Sequence, residues 1–418
     1  MSTLPPATDW NRPLGELPAT CEMLVIGAGP AGSACARVLA QAGRDVWLVD
    51  AQAFPRDKVC GDGLVPDSHA ALRRLGVHER VMLAAQRAEV ARCVAPSGSA
   101  IDVPGELAVL PRRDLDALLC ATAVEAGARM VAPARFVAPL RDGSGRVVGA
   151  QLGAGGQTRE LRCRWLVLAT GAAPAALLAA GLCERRTPSA MALRVYVRHT
   201  GLAEASGALR FVWHRRLRDG YGWVFPGPDG VFNIGVGILD SHPGAEQPSG
   251  ERKKARNLRR LFEDFLAVDA QAAQLMREGE RLSELKGAPL RCDLTGARSA
   301  APGVLVCGEA IGATYALTGE GIGKALETGI AAAEALTQST TDDAVVAAYQ
   351  ARLDALRPRF AMYRKAASFN RHPLLVSLVV WRARRSPRVL ARLADILNER
   401  RLPGSLLSWR GFKAMMLG

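Results

Sequence analysis

Residues 23–50 read MLVIGAGPAGSACARVLAQAGRDVWLVD. Four apolar residues, Met23 to Ile26, predict a buried strand, and Gly27, Gly29 and Gly32 then form G-x-G-x-x-G. Apolar spacing through Ala36, Leu39 and Ala40 predicts a helix, and a second strand, Asp45 to Val49, ends at Asp50. Gly27 permits the tight strand-to-helix turn, Gly29 lets backbone approach a pyrophosphate, and Gly32 lets the helix pack close to the sheet. The helix N-terminus offers unpaired N–H groups and a partial positive charge to phosphates. Asp50, about 20 residues on, is placed for ribose hydroxyls, which favours an unphosphorylated adenosine such as that of FAD or NAD. A glycine pattern alone is weak. With strand, helix, second strand and terminal acid in order, it predicts a Rossmann-type α/β unit.

The 418 residues suffice for two or three domains, and 49% hydrophobic with 22% charged residues is a globular composition. Nine cysteines, with no C-x-x-C pair, predict reduced thiols in a cytoplasmic setting and neither a disulfide framework nor a metal site. Residues 1–20 are Pro-rich, lack an apolar signal core, and read as a loosely draped extension. No run approaches the ~18 apolar residues of a spanning helix. The net charge is +14, and between Arg371 and Lys413 ten Lys/Arg face only Asp395 and Glu399. Such a patch suits anionic lipid or a diphosphate; nucleic acid is not expected, because no nucleic-acid motif accompanies it.

After Asp50, residues 54–63 read FPRDKVCGDG, a loop in which Cys60 is bracketed by glycine and lies near Arg56 and Lys58. That electropositive setting predicts a lowered thiol pKa, against the plainer reading of a small residue in a tight loop. Ser68 to Leu75 reads as a short helix, and residues 88–110 as a hairpin around Pro96-Ser97-Gly98. A helix follows, with Leu115, Leu118, Leu119 and Ala123 on one face; Arg112 and Asp116 at its start read as a cap or ion pair. Strands are predicted over Val131 to Phe136, Val147 to Leu152 and Trp165 to Gly171. From about Ala190 to Leu290 the period is two, and Tyr221, Trp223 and Phe225 fall on one strand face. Arg252 to Gln274 reads as one basic helix covering the sheet edge. Residues 303–336 give a strand ending at Gly308-Glu309, a loop with Gly319 and Gly321 around Glu320, and an Ala-rich helix from Ile322. The remainder is helical; Val389, Leu390, Leu393, Ile396 and Leu397 form an apolar face, which reads either as membrane-surface or as packed on the protein body.

Four motifs in order, VIGAGPAGSACA, FPRDKVCGDGL, YGWVFP with the following Gly-x-Gly, and GEAIG…TGEGIGKALETG, resemble the geranylgeranyl reductase family within the p-hydroxybenzoate hydroxylase-like flavoprotein group. The resemblance covers about Met23 to Ala348. It implies a Rossmann-type FAD-binding domain (21–85, 105–185 and 290–345), an inserted antiparallel sheet domain for substrate (86–104 and 186–289), an N-terminal extension (1–20) and a basic helical C-terminus (346–418). It assigns Gly27, Gly29, Ala31 and Gly32 to the FAD pyrophosphate loop and Asp50 to the adenosine ribose. Arg112, Gly308, Glu309, Gly319, Gly321 and Ile322 complete the cofactor set, with Glu309 at the ribityl chain and Gly321 and Ile322 at the isoalloxazine edge. Cys60, Tyr221 and Trp223 are the catalytic candidates, Cys60 beside the ring and the aromatics lining a prenyl tunnel.

The family's reaction is hydride transfer from reduced flavin to an isolated alkene, with NAD(P)H or a reduced electron carrier as electron source. The implied partners are an apolar small molecule and, through the basic helices, the inner face of a membrane. Relatives in the wider group are monooxygenases and halogenases, so an oxygen-dependent enzyme on an apolar or aromatic substrate, or a flavin electron carrier, is the alternative. The halogenase W-x-W-x-I-P is absent.

Overall fold

The protein is described by a computed structural model covering residues 10–203, 207–239 and 257–402. The quoted stretch folds as β1 (Thr20–Ile26), α1 (Pro30–Gln41) and β2 (Val46–Val49), with β1 and β2 parallel and all of β2 buried. From Trp10 onward the N-terminal segment is tied down rather than draped. Trp10, Leu14 and Leu17 are buried in the main core, and Asn11 exchanges hydrogen bonds with the backbone of Phe54.

The chain then leaves the first sheet. β3 (Gly63–Leu64), α2 (Pro66–Arg74) and α3 (His78–Ala84) lead into a hairpin of β4 (Gln86–Val94) and β5 (Ala100–Val109). It returns through α4 (Arg112–Glu125), whose predicted apolar face is buried, to β6 (Arg129–Val131) beside β2. The single strand expected over Val131 to Phe136 is two. Proline has no N–H for the ladder, and Pro133 separates β6 from β7 (Arg135–Arg141). β8 (Val147–Ala154) and β9 (Gln157–Leu168) follow, then the short α5 (Ala175–Ala179). β9 runs parallel to β1 and carries the buried Trp165 to Leu168.

The second sheet is built on β10 (Ala190–Arg198), which is followed by the one-turn α6 (Thr200–Ala203), β11 (Ala208–Val212), β12 (Gly220–Pro226) and β13 (Val231–Leu239). β10, β13, β12 and β11 are successive antiparallel neighbours, and β11 joins β4 in parallel, so the earlier hairpin completes this sheet. β3 pairs with β5 at its far edge. Instead of one helix from Arg252 to Gln274 there are two, α7 (Leu258–Val268) and α8 (Ala270–Glu278), while 252–256 lie outside the described residues. Asp269 explains the break: its extended backbone and its carboxylate, which accepts the Ala272 N–H at 2.9 Å, start a new helix. These helices cover the sheet face, not its edge, since Phe265 sits over Gly222, where a Cβ would collide with its ring. β14 (Glu280–Arg281) and β15 (Lys286–Leu290) pair back onto β10.

The chain closes on the first sheet. β16 (Ala300–Ala301) and β17 (Val304–Val306) extend it beside β9, giving the order β16-β17-β9-β1-β2-β6, with β7 and β8 attached through β9. α9 (Ile322–Gln338) packs against α1 so closely that a Cβ on Gly329 would strike the Ala31 backbone. α10 (Asp342–Ala366) follows, then α11 (Pro373–Ala383) and α12 (Pro387–Leu397). Part of the apolar face of α12 is spent on the protein body: Val389, Leu390, Leu393 and Leu397 join the cluster of β5, and Leu397 lies over Gly105. Among the described residues no helix is long and apolar enough to cross a membrane.

Because Phe265 is fully buried between helix and sheet, Phe265→Ala should cost about 3–5 kcal/mol in urea unfolding. A loss below about 1 kcal/mol would place α7 at the sheet edge after all.

Candidate active site

A cavity of about 680 Å³ runs from the glycine loop between β1 and α1, past Asp50 and Cys60, to the aromatic face of β12. That size lies within the range of cofactor and small-molecule sites. Gly27 has φ +100°, and a Cβ there would run into the Ala169 carbonyl. Gly32 lies against the Gly27 carbonyl, so its place is in helix-to-strand packing rather than on the cavity wall. The N-cap of α1 is Gly29 and that of α9 is Gly321, neither with a side-chain cap, and both line the cavity. Two helix N-termini thus present unpaired N–H groups to the same space.

Beneath Gly29 runs a ladder of charges. Arg112 grips Asp116 with Nε to Oδ1 at 2.6 Å and Nη2 to Oδ2 at 2.8 Å, and Arg56 bridges Asp116 at 3.0 Å to Asp50 at 3.3 Å. Asp50 also accepts the N–H groups of Ala28 at 2.8 Å and Gln52 at 3.0 Å, so it fixes the glycine loop from below. Burial disfavours the charge on Arg112, but Asp116 outweighs it and pushes its pKa up. Arg112 and Arg56 each come within 3.7 Å of where a Gly29 Cβ would stand, placing two guanidiniums beside the loop. The sequence singled out Arg112; Arg56 appeared there only as a neighbour of Cys60.

Ala31, Asp50, Arg112, Glu309, Gly319, Gly321 and Ile322 line the cavity with Gly27 and Gly29. Gly308 does not. It sits behind the wall, its N–H donating to Thr328 Oγ1 at 3.0 Å, with Ala31 Cβ only 2.6 Å from where its own Cβ would be. Glu309 lies 3.8 Å from Lys58 across the cavity.

Cys60 lies half-buried on the wall. Its thiol is not activated as the neighbouring lysine and arginine suggest: burial pushes its pKa up, against the opposing charge of Arg112. The turn that carries it is held by Asp62, fully buried at φ +65°. The Asp62 carboxylate accepts the Arg112 backbone N–H at 3.2 Å, Asn233 Nδ2 at 2.7 Å and the Tyr196 hydroxyl. Asn233 also donates to the Cys60 carbonyl at 2.7 Å and accepts Trp223 Nε1–H at 2.9 Å. Burial raises the Asp62 pKa to about 6, in spite of these donors. The sequence reading passed over Asp62, Asn233 and Tyr196; a polar Asn inside the apolar run Val231 to Ile238 was the available signal.

Tyr221, Trp223 and Phe225 form the cavity's aromatic wall, joined by Phe211 at 5.0 Å from the Phe225 ring centroid. Tyr221 donates its hydroxyl to the Thr318 carbonyl, which ties this wall to the loop before Gly319. Thr170, another lining residue, has its hydroxyl oxygen buried without a hydrogen-bond partner in the protein. Two uncapped helix ends, paired guanidiniums and this orphaned hydroxyl fit the phosphates and hydroxyls of FAD.

The comparisons agree. Residues 20–264 match the family model described as FAD binding domain. The chain is 34% identical over 342 residues to menaquinone reductase of Mycolicibacterium smegmatis, covering 77% of this chain and 78% of that protein. It is 30% identical to digeranylgeranylglycerophospholipid reductase 2 of Methanopyrus kandleri, covering 79% and 80%. In structure it is similar to a geranylgeranyl bacteriochlorophyll reductase-like protein from Thermoplasma acidophilum (TM-score 0.71, 20% identity, 95% and 96% covered). A flavin-dependent brominase is also similar (TM-score 0.70, 20% identity, 95% and 97% covered), so the fold alone does not separate these chemistries. The chain belongs to the FAD-binding-domain flavoproteins, in their geranylgeranyl reductase family, and is an FAD-dependent oxidoreductase.

Proposed function

We propose that this flavoprotein saturates isolated C=C bonds of a prenyl chain, of the geranylgeranyl type or a similar apolar substrate. The observation that carries the reading is the continuity of one cavity from the glycine loop, past the Cys60 thiol, to a wall of Tyr221, Trp223 and Phe225. Relatives named as reductases of menaquinone and of a digeranylgeranyl lipid support the substrate class. FAD, when bound and reduced, supplies the hydride. The loop at Gly27 and Gly29, with Arg112 and Arg56 beside it, would hold the pyrophosphate, and Asp50 the ribose. Glu309 would hold the ribityl chain.

Cys60 completes the addition. Burial keeps the proton on Sγ at neutral pH, and that proton goes to the alkene carbon that does not receive the hydride. Hydride and proton together balance the saturated product, and solvent returns a proton to the thiolate. Arg112 lowers the cost of the transient thiolate, being the main charge that opposes burial there. The aromatic wall binds the chain and keeps water from the reacting carbons. NAD(P)H or a reduced carrier supplies the electrons.

We propose also that α11 touches a membrane. Leu374 is 78% and Trp381 45% exposed, and Arg382, Arg384 and Arg385 follow directly in sequence. Val380 and Ala383 of the same helix share an apolar cluster with Trp223 and Phe225, which offers a lipid chain a short route inward.

After anaerobic reduction with dithionite, a geranylgeranyl compound should restore the oxidised-flavin colour and gain two hydrogens per bond; colour returning only with air would make the chemistry oxygen-dependent. Cys60→Ala should slow that re-oxidation by about 10²–10⁴-fold while retaining FAD, and an unchanged rate would remove the thiol from the mechanism. Iodoacetamide should alkylate Cys60 slowly at pH 7 and faster above a free thiol's ordinary pKa of about 8.5; fast reaction at pH 6 would show a thiolate instead. The protein should sediment with anionic liposomes, and Leu374→Asp with Trp381→Asp should weaken this; failure to sediment with anionic or neutral lipid ends the membrane reading.

A further inference from the structure

Away from the cavity, three donor atoms converge from three separate elements. His69 Nδ1 of α2 lies 3.0 Å from His78 Nε2 at the start of α3, and Glu106 Oε1 of β5 lies 3.6 Å from each. We infer that His69, His78 and Glu106 form a structural site for a divalent transition metal of the zinc class, with a fourth position open to water.

Three facts carry it. The first is spacing. A tetrahedral ion with bonds of about 2.0–2.2 Å separates neighbouring ligand atoms by roughly 3.3–3.6 Å; the two Glu106 distances match it and the histidine pair is slightly shorter.

The second is the direction of the outer nitrogens. His78 Nδ1 lies 3.0 Å from Glu79 Oε1, an acceptor that draws the ring proton to that nitrogen. His69 Nε2 is buried and has no hydrogen-bond partner in the protein. With the His78 proton on Nδ1, its inner nitrogen is a lone pair aimed at His69 Nδ1, and the Glu106 oxygen is a second acceptor beside it. In the His69 tautomer that carries its proton on Nε2, three acceptors converge with no hydrogen between them, an arrangement that calls for a cation. A carboxylate behind a ligating imidazole is also the usual support of a metal-bound histidine.

The third is access. His69 is 1% exposed, while the Glu106 side is open. Arg73 pairs with the same Glu106 oxygen from the solvent side; its half-exposed chain is free to take the other oxygen when the ion arrives. Oxygen and two imidazoles suit zinc better than the hard ions calcium or magnesium. Such an ion would pin α2 and α3 to the hairpin strand whose partner, β3, closes the Cys60 turn.

The test uses the full-length FAD-loaded protein, without a histidine tag and stripped with chelator, titrated with Zn²⁺ and separately with Co²⁺. One equivalent should bind per chain, and His78→Gln or Glu106→Gln should each weaken it by at least about tenfold. Both side chains reach the surface, and an unchanged flavin spectrum shows that each variant is folded. The cobalt form should show d–d bands with no thiolate charge-transfer band. Absence of stoichiometric binding reduces the pair to an ordinary imidazole–imidazole hydrogen bond and overturns the site. Binding indifferent to both substitutions, or a thiolate band, assigns the metal to cysteine and overturns it equally.

Discussion

The buried carboxylate of Asp62 is the constraint on which the arrangement depends. It leaves the loop between the two sheets and takes hydrogen bonds from Tyr196 on β10, Asn233 on β13 and the first residue of α4. A buried acid with fewer donors would be a liability of several kcal/mol. Satisfied as it is, it fixes where the loop stands relative to both sheets. Asn233 passes that restraint on to Trp223 and to the Cys60 carbonyl, so the thiol and the aromatic wall share one anchor. The electrostatics around it follow: burial raises the Asp62 carboxyl and the Cys60 thiol alike, and at Cys60 the charge of Arg112 is the first of the influences that oppose the rise.

The floor of the cavity repeats this logic with charges. Alternating Arg112, Asp116, Arg56 and Asp50 hold one another, so both guanidiniums are ordered beside Gly29. Buried pairs of this kind add little net stability once desolvation is counted. Their worth is in position, because a diphosphate meets cations that need not be immobilised on binding.

Much of this was legible in the sequence because it is local. Met23 to Asp50 shows a strand, a glycine turn, a helix and an acid within one βαβ segment, and each has its own signature in composition or spacing. Tyr221, Trp223 and Phe225 could be put on one face from the strand period alone. What was not legible is what joins distant segments. Asn233 to Asp62 spans 171 positions, and no local pattern marks it. At Cys60 the sequence left two readings for the same reason: charge neighbours are visible in a sequence, whereas packing against the apolar cluster of α1, α2, α4 and α9 is not. At α12 periodicity left two readings, and the packing of Leu397 over Gly105, remote in the chain, favours the protein body over the membrane for that face. Asp269 split a helix because a capping side chain overrode an otherwise continuous apolar pattern.

The contact between α1 and α9 has a consequence for how the molecule comes to exist. Ala31 in the first helix is wedged under Gly308 and Gly329, nearly three hundred residues later, and α9 brings the second uncapped helix end to the cavity. A nascent chain can form β1, α1 and β2 early, yet the cofactor's cradle has no far wall until synthesis has passed Gln338. A finished cradle for the flavin is therefore a late product of synthesis, and until then the cavity's aromatic wall must be sheltered by the protein's own sheets or by a chaperone.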